Sequence, residues 1–156
     1  MACLIKPATP DDAPVLAALV GALLQEIMDT LGSAEFHFSL DEATTRAEDF
    51  LERKRYFAFI AWEDGQAVGL VCLYESHALY AEGDFGTISE FYVCPSYRSR
   101  GIGHLLLDEA RKLGASKGWK RLEVTTPPLP LFQRTLAFYE KHGFAVAGGR
   151  KLKSLL

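Results

Sequence analysis

The first half of the chain changes between strand-like and helical spacing of its apolar residues. Cys3 to Pro7 is short and strand-like. Helical spacing then marks one apolar face, made of Val15, Leu16, Leu19, Leu23 and Ile27. Thr9 followed three residues later by Asp12 is typical of a helix start, and Gly32 of a helix end. A second helix is predicted from Leu40 to Arg53.

Strand-like runs occupy the middle of the chain. Tyr56 to Trp62 and Gln66 to Tyr74 are rich in aromatic and aliphatic residues, and Glu63-Asp-Gly65 joins them. Asp-Gly between two such runs predicts a tight hairpin. A third run, Phe85 to Val93, extends the meander across a segment that we expect to be irregular, His77 to Asp84.

The second half alternates helices with short strands. The spacing predicts a helix from Gly103 to Lys117, a strand from Arg121 to Thr125 and a helix from Phe132 to His142. Terminal strands are predicted at Phe144 to Val146 and Lys151 to Leu155. Elements in this order predict a mixed α+β layer fold and exclude a regular βαβ alternation.

Composition indicates one ordinary globular domain. The 156 residues are 49% hydrophobic, enough to bury a core without disulfides, so we predict a single domain over residues 1–156. The net charge of −3 excludes a surface that is basic as a whole, and no nucleic acid partner is expected. The three cysteines are odd in number and lack Cys-x-x-Cys spacing, which argues against a disulfide framework.

Neither a membrane partner nor a metal is expected. The longest apolar run, near Ala13 to Leu24, is interrupted by Gly21 and is too short to cross a bilayer. No long apolar leader opens the chain, so we expect a cytoplasmic protein. The four histidines share no metal-ligand spacing, and no metal site is predicted.

One segment carries candidate chemistry: Arg98-Ser-Arg-Gly-Ile-Gly103, which we call the glycine turn. It joins a strand-like run to a helical run, so several backbone N–H groups point at one spot where the helix dipole adds positive charge. Glycine lets the backbone approach a ligand closely. Arg98 and Arg100 add attraction for anions. The arrangement suits a pyrophosphate.

Other phosphate-binding patterns are excluded. A dinucleotide fingerprint needs a third glycine, where this chain has Leu106, and it needs a preceding βαβ unit. A Walker loop needs Gly-Lys-Ser or Gly-Lys-Thr after its glycines, and none follows here. The surrounding motifs must therefore indicate which phosphate-containing ligand binds here.

Two motifs, in order and on the expected elements, resemble those of the GNAT superfamily of N-acetyltransferases. The first is Phe91-Tyr-Val-Cys-Pro-Ser-Tyr-Arg-Ser-Arg-Gly-Ile-Gly103, where a strand and a Val-x-Pro turn precede Arg-x-x-Gly-x-Gly. The second is Phe138-Tyr-Glu-Lys-His-Gly-Phe144, at a helix end. The resemblance covers essentially the whole chain. It implies the GNAT fold, a central, mostly antiparallel sheet splayed at the acetyl-CoA site and flanked by helices.

The resemblance also implies transfer of an acetyl group from acetyl-CoA to a primary amine. Backbone N–H groups of the glycine turn would hold the CoA pyrophosphate, and the strand Phe91 to Val93, with a bulge in it, would pair with the pantetheine amides. The implied cofactor-binding residues are Phe91, Tyr92, Val93, Arg98, Ser99, Arg100, Gly101, Ile102, Gly103 and His104.

Catalysis needs one group that accepts a proton from the amine and another that donates a proton to the leaving sulfur. Tyr139 matches the family's tyrosine and is the implied acid. Glu90 is the preferred base, and Glu123 stays open as the second candidate. Phe132 stands where relatives commonly carry asparagine, which puts a contact from there to pantetheine in doubt.

The acceptor is the least patterned part of the site. A small-molecule amine is favoured over a protein N-terminus, because Glu26 to Leu40 and His77 to Asp84 could enclose a compact acceptor. His37 and His77 are candidates for lining that pocket. Glu26 either attracts a cationic amine or belongs to a solvated face, and both interpretations stay open.

Two further possibilities concern the chain as a whole. A catalytically idle acetyl-CoA-binding or interaction module of the same fold is the alternative function. Lys151 to Leu156 alternates apolar and basic residues, as an edge strand would, and this favours a homodimer.

Overall fold

The computed structural model describes residues 2–156. Its contacts divide the chain into two compact units, Met1–Thr125 and Thr126–Leu156, and each is described by itself. The first unit contains the sheet, three α-helices and the glycine turn, and the second contains one α-helix and the second motif. The single domain over residues 1–156 stays a prediction.

The first unit is built on a five-stranded sheet in the order β1-β2-β3-β4-β5. All neighbouring strands are antiparallel except β4 and β5, which are parallel. The mixed α+β fold with a mostly antiparallel sheet is therefore confirmed. The elements are β1 Leu4–Pro7, α1 Ala13–Leu31, α2 Leu40–Glu52, β2 Tyr56–Glu63, β3 Gln66–Ala78, β4 Gly83–Val93, α3 Ile102–Lys117 and β5 Leu122–Val124.

Local contacts confirm the predicted helix ends and the hairpin turn. The Thr9 N–H donates to Asp12 Oδ2 at 2.9 Å just before α1. Gly32 ends α1 at φ 72°. Asp64 and Gly65 have φ of 51° and 75°, the positive values that a tight two-residue hairpin requires.

The irregular segment predicted at His77 to Asp84 is shorter than expected. β3 extends to Ala78, β4 begins at Gly83, and the short 3-10 turn Leu79–Ala81 lies between them. In the register, Glu75 to Ala78 pair with Gly83 to Gly86. Backbone pairing in an antiparallel ladder does not require apolar alternation, and this polar stretch lacks it. The pattern of side chains therefore gave no sign of the strand ends.

The helices α1 and α2 cover one face of the sheet, and α3 covers the other. Leu16 of α1 and Leu70 of β3 belong to one buried cluster. A Cβ at Gly69 would instead meet Leu106 of α3 at 3.4 Å. Because adjacent strand residues point to opposite faces, the two helical layers lie on opposite sides. Burial of a side chain such as Leu16 stabilises the fold by about 1.5–3 kcal/mol.

The helical segment Pro10–Leu31 is long and apolar enough to cross a membrane, judged by length and composition alone. Its 22 residues extend beyond the run from Ala13 to Leu24 on which the sequence expectation rested, and the absence of a membrane partner stays a prediction. In this fold, Ala13, Leu16 and Leu19 of α1 lie in the buried cluster. The apolar stripe therefore packs on the sheet, as its helical spacing predicts.

A bulge in β4 coincides with the end of the pairing between β4 and β5. Ser89 is the extra residue between Ile88 and Glu90 in the register with β3. The last parallel pair joins Ile88 to Val124, where β5 ends. β4 continues beyond this point to Val93. Beyond Ile88, β4 is no longer paired with β5. The sheet thus opens between these two strands, as the resemblance implies.

The second unit contains α4, Gln133–Lys141, followed by a segment without regular structure. The strands predicted at Phe144 to Val146 and Lys151 to Leu155 are wrong. Gly148 and Gly149 have φ of 91° and 77°, which interrupts an extended chain there. The homodimer loses the edge strand on which it rested and stays a prediction.

Candidate active site

The glycine turn has the backbone geometry of an anion-binding helix start. After β4 ends at Val93, a short turn at Pro95–Tyr97 leads to α3, which begins at Ile102. Gly101 is the N-cap residue at φ 82°, and Ser99 has φ 63°. In the described part of the chain, no side chain caps α3 at its start. The first backbone N–H groups of α3 therefore present donors where the helix dipole favours an anion.

Gly101 leaves room for a ligand beside these donors. A Cβ built on Gly101 meets no atom within 4 Å, so the side-chain direction opens into empty space. The volume that any other residue would fill with its side chain is open to a phosphate group. The residues present therefore fit the pyrophosphate that the glycine turn predicts.

Arg98 is held by groups of the protein itself. Its Nε donates to Val93 O at 2.8 Å. Its Nη2 lies 2.8 and 3.1 Å from the two carboxylate oxygens of Glu26 on α1. The guanidinium also lies over the Tyr92 ring, 5.5 Å from its centroid. Glu26, a candidate for attracting a cationic amine, thus pairs with the glycine turn.

Arg100 is engaged in the same way from another element. Its Nη1 lies 3.6 Å from Glu63 Oε2 at the end of β2, and its guanidinium lies over the Tyr97 ring at 5.1 Å. The Glu63 side chain is only 11% exposed. Within residues 2–156, the buried Oε2 of Glu63 accepts no hydrogen bond. Each arginine of the glycine turn therefore has its charge compensated by a glutamate, and the attraction for anions expected from them is reduced.

Glu90 projects from β4 on the face covered by α1 and α2, opposite Cys72 in the register. Its Oε1 accepts hydrogen bonds from the Tyr56 hydroxyl and, at 2.5 Å, from Ser89 Oγ. Burial, and then the nearby Cys72 and Glu90, raise the pKa of the Tyr56 hydroxyl well above its ordinary value. Tyr56 therefore stays a donor, and the carboxylate of Glu90 is held in one orientation.

Glu123, the second candidate base, has a cation as its partner. It lies on β5 opposite Thr87, with Oε2 3.4 Å from Arg121 Nε. The Arg121 guanidinium lies 5.4 Å from the Tyr80 ring centroid and 5.6 Å from that of Phe85. Arg121 thus competes for the oxygens that a base would present to an amine. Glu90 has hydroxyl partners and, among the described residues, no such cation, which favours Glu90 over Glu123 as the candidate base.

The structure places the bulge of β4 at Ser89, not at Phe91 to Val93 as the resemblance implied. Phe91 to Val93 instead stay in register with β3 on one side. On the other side they lie past the last pair with β5. An extra residue at Ser89 turns the following strand away from β5, which is the ordinary effect of a bulge. The predicted opening is thus made two residues earlier in the chain.

Tyr139 lies on α4 in the second unit and is 4% exposed. Gly143, at φ 90°, turns the chain back so that the Phe144 N–H donates to Tyr139 O at 3.0 Å. The Phe144 ring then lies edge-on to the Tyr139 ring, with centroids 5.2 Å apart. Burial raises the pKa of the Tyr139 hydroxyl above its ordinary value, so the hydroxyl keeps its proton. The Gly-Phe end of the second motif therefore orients the tyrosine.

The histidine candidates lie against surface carboxylates. The pairs are His37 with Glu42, His77 with Asp84 and His104 with Asp108. The hydrogen bond and charge of Asp84 raise the pKa of exposed His77. Phe132, in place of the usual asparagine, is buried at the start of α4. No group of three or more metal-ligating side chains occurs among residues 2–156.

Sequence reasoning missed the roles of Tyr56 and Glu63. Tyr56 is 34 positions from Glu90 and reaches it only because β3 lies between their strands. Glu63 belongs to the predicted hairpin turn, where a charged residue is expected for solvation alone. Neither residue carries a motif that points to a distant partner.

Among known families, the model of the acetyltransferase (GNAT) family matches residues 23–144. Among curated proteins no match was found. The ribosomal-protein-alanine N-acetyltransferase from Brucella melitensis biovar Abortus 2308 has a similar structure, with a TM-score of 0.74 and 23% identity, and the match covers 99% of this chain and 100% of that chain.

Aminoglycoside acetyltransferases have similar structures as well. HMB0005, from an uncultured soil metagenomic sample, has a TM-score of 0.78 at 20% identity, covering 100% of both chains. AAC(6')-Iy in complex with CoA has a TM-score of 0.81 at 19% identity, covering 99% of this chain and 95% of that chain. The similar structures share the sheet and helices described above. The chain belongs to the GNAT family, has the GNAT fold and is an N-acetyltransferase, as its two motifs predicted.

Proposed function

We propose that this chain transfers the acetyl group of acetyl-CoA to a primary amine of a small molecule. The observation that carries the proposal is the glycine turn, where α3 starts without a side-chain cap and Gly101 opens into empty space. One neighbour with the same fold, AAC(6')-Iy, is a complex with CoA. Bound acetyl-CoA supplies the activated acetyl group.

The glycine turn binds the pyrophosphate through backbone N–H groups, and the end of β4 binds the pantetheine. Arg98 and Arg100 take part through their backbones, because Glu26 and Glu63 hold their side chains. The residues assigned to the cofactor are Phe91, Tyr92, Val93, Arg98, Ser99, Arg100, Gly101, Ile102, Gly103 and His104.

Replacing Gly101 by alanine tests this assignment. The Cβ would enter the open space assigned to the phosphate, and φ 82° would become strained. We expect the affinity for CoA, measured by isothermal titration calorimetry, to fall at least about tenfold, equivalent to about 1.4 kcal/mol.

Gly118→Ala is the matched control for Gly101→Ala. Gly118 ends the same helix at φ 73°, and a Cβ there also meets nothing within 4 Å. Both variants should lose similar stability, about 1–2 kcal/mol from the left-handed backbone, but Gly118→Ala should bind CoA like the unaltered chain. Equal affinities for CoA in both variants would contradict the assignment.

Two side chains of this chain handle the protons. An ammonium has no lone pair, so the acceptor must lose a proton before it attacks. Glu90, held by Tyr56 and Ser89, accepts that proton directly or through a water molecule. Tyr139, whose hydroxyl stays protonated, donates a proton to the leaving sulfur. Each role follows from the immediate surroundings of the residue within its own unit.

A small-molecule amine is the preferred acceptor. Aminoglycoside acetyltransferases are among the neighbours of the same fold, although a ribosomal-protein-alanine N-acetyltransferase is another. Tyr74 lies on the same face as Cys72 and Glu90 and is 42% exposed. An exposed tyrosine ring on the face of the sheet that carries Glu90 provides a surface on which an alkylammonium group can lie.

The proposal is tested by incubating the purified chain with acetyl-CoA and a library of amines, followed by mass spectrometry. The library contains aminoglycosides, polyamines, amino acid derivatives and peptides with free N-termini. We expect acetylated small amines. Preferential acetylation of peptides would overturn the acceptor class. Thermal stabilisation by CoA without any acetylated product would instead support the catalytically idle module.

A further inference from the structure

The glycine turn contains a residue in an unfavourable backbone conformation. Ser99 has φ 63°, in the left-handed region that a residue with a Cβ rarely adopts. Such a conformation persists when the surrounding contacts hold it in place. Ser99 lies between Arg98 and Arg100, whose side chains contact other elements of the fold.

The contact on one side of Ser99 is an ion pair in which one guanidinium nitrogen donates to both carboxylate oxygens. Glu26 of α1 holds Arg98 Nη2 with both carboxylate oxygens, at 2.8 and 3.1 Å. The same guanidinium donates to Val93 O at 2.8 Å. Arg98 therefore joins three parts of the fold: the end of β4, the glycine turn and a helix 72 positions away in sequence.

The contact on the other side is a partly buried ion pair. Glu63, at the end of β2, lies 3.6 Å from Arg100 Nη1. Its side chain is 11% exposed, and its Oε2 accepts no hydrogen bond from the described residues. A carboxylate so little exposed to water depends on the neighbouring guanidinium for compensation of its charge. The pair therefore fixes Arg100 against β2.

We propose that Glu26 and Glu63 are positioning residues for acetyl-CoA, a role that rests on the proposed function of the glycine turn. By holding Arg98 and Arg100, they keep Ser99 in the left-handed conformation, so that the N–H groups before α3 converge before the ligand arrives. A turn organised in advance loses less conformational entropy when the pyrophosphate binds. The opposite role would be competition, in which the glutamates keep the arginines from the phosphate.

Positioning and competition predict opposite changes in CoA affinity for Glu26→Gln and Glu63→Gln. Positioning predicts weaker binding of CoA, by about tenfold, because glutamine removes the negative charge that holds the arginine. Competition predicts tighter binding and a steeper dependence on salt, because released arginines would contact the phosphates. Tighter binding of CoA by either variant overturns the proposal. The matched control is Glu109→Gln, which removes an ion pair with Lys112 on α3 and should change nothing.

Ser99→Gly separates positioning from a general loss of stability. Glycine adopts the left-handed conformation without steric cost, so each glutamine substitution should weaken CoA binding less in the Ser99→Gly background. Equal weakening in both backgrounds would contradict the proposed role. A double-mutant cycle on the CoA dissociation constant measures this coupling.

Hydrogen exchange of the chain without CoA tests the positioning role of Glu26 and Glu63 independently of cofactor binding. Glu26→Gln and Glu63→Gln should accelerate exchange at Arg98 to Gly103 and leave the middle of α3 unchanged. If the unaltered chain fails to bind CoA, the proposed function fails, while accelerated exchange still supports the role of the glutamates in the turn. Unchanged exchange in both variants contradicts that role, whatever CoA does.

Discussion

Replacing Glu90 by glutamine is expected to lower kcat by about 10²- to 10⁴-fold, the usual contribution of a general base. Glutamine keeps the size of the side chain and can still accept hydrogen bonds from Tyr56 and Ser89, but it cannot take a proton from an amine. The acetyl-CoA dissociation constant should stay unchanged. Steady-state kinetics with a saturating amine and calorimetry with CoA give the two quantities.

The pH profile distinguishes the base from a residue that merely supports the strand. A base must be deprotonated, so the rate rises with pH through its pKa, and Glu90→Gln should remove that ascending limb. Glu123→Gln is the control, because Glu123 lies on the neighbouring strand and pairs with Arg121. An ascending limb that survives in Glu90→Gln and disappears in Glu123→Gln would assign the base to Glu123.

Replacing Tyr139 by phenylalanine is expected to have an effect of similar size, about 10²- to 10⁴-fold on kcat, with little change in CoA affinity. The substitution removes only the hydroxyl and leaves the ring to pack edge-on against Phe144. Because burial raises the pKa of Tyr139, its protonated, donating form persists to higher pH than that of an exposed tyrosine. The rate of the unaltered enzyme should therefore not decline near pH 10 on account of this group.

Tyr80→Phe is the matched control for Tyr139→Phe. Tyr80 is 77% exposed at the end of the β3–β4 hairpin, so loss of its hydroxyl should leave turnover unchanged. An unchanged kcat in Tyr139→Phe would remove this residue from the chemistry. A large rise in the CoA dissociation constant would assign it to binding instead.

Local patterns predicted most helices and strands because their signals lie within a few residues. Asp64 and Gly65 specify the tight turn, and Gly32 specifies a helix end, through their own backbone preferences. The prediction failed where pairing had no such signal. The ends of His77 to Asp84 lack apolar alternation yet pair, and Lys151 to Leu155 alternates apolar and basic residues yet forms no strand. Strand formation depends on a partner, which alternation alone does not provide.

The candidate site was likewise predictable only in part: its contiguous motifs were predicted, and its contacts between distant residues were not. The glycine turn and the second motif are contiguous, so the anion-binding backbone and Tyr139 could be named from spacing and resemblance. The role of Glu90 gained its support only from Tyr56, whose hydroxyl arrives from another strand. From the sequence, Arg98 and Arg100 are expected to attract an anionic ligand, but folding brings a glutamate to each. Charge partners that are distant in sequence cannot be deduced from local composition.

By itself, the sequence determined the family, the mixed α+β architecture and the glycine turn, because each depends on residues close together along the chain. Only the tertiary structure decided how that turn is held and which candidate carboxylate accepts hydrogen bonds from neighbouring hydroxyl groups. Glu26 meets Arg98 across 72 positions, and Tyr56 meets Glu90 across 34. Such pairs form when helices and strands pack, since burial of the apolar faces brings distant polar groups together.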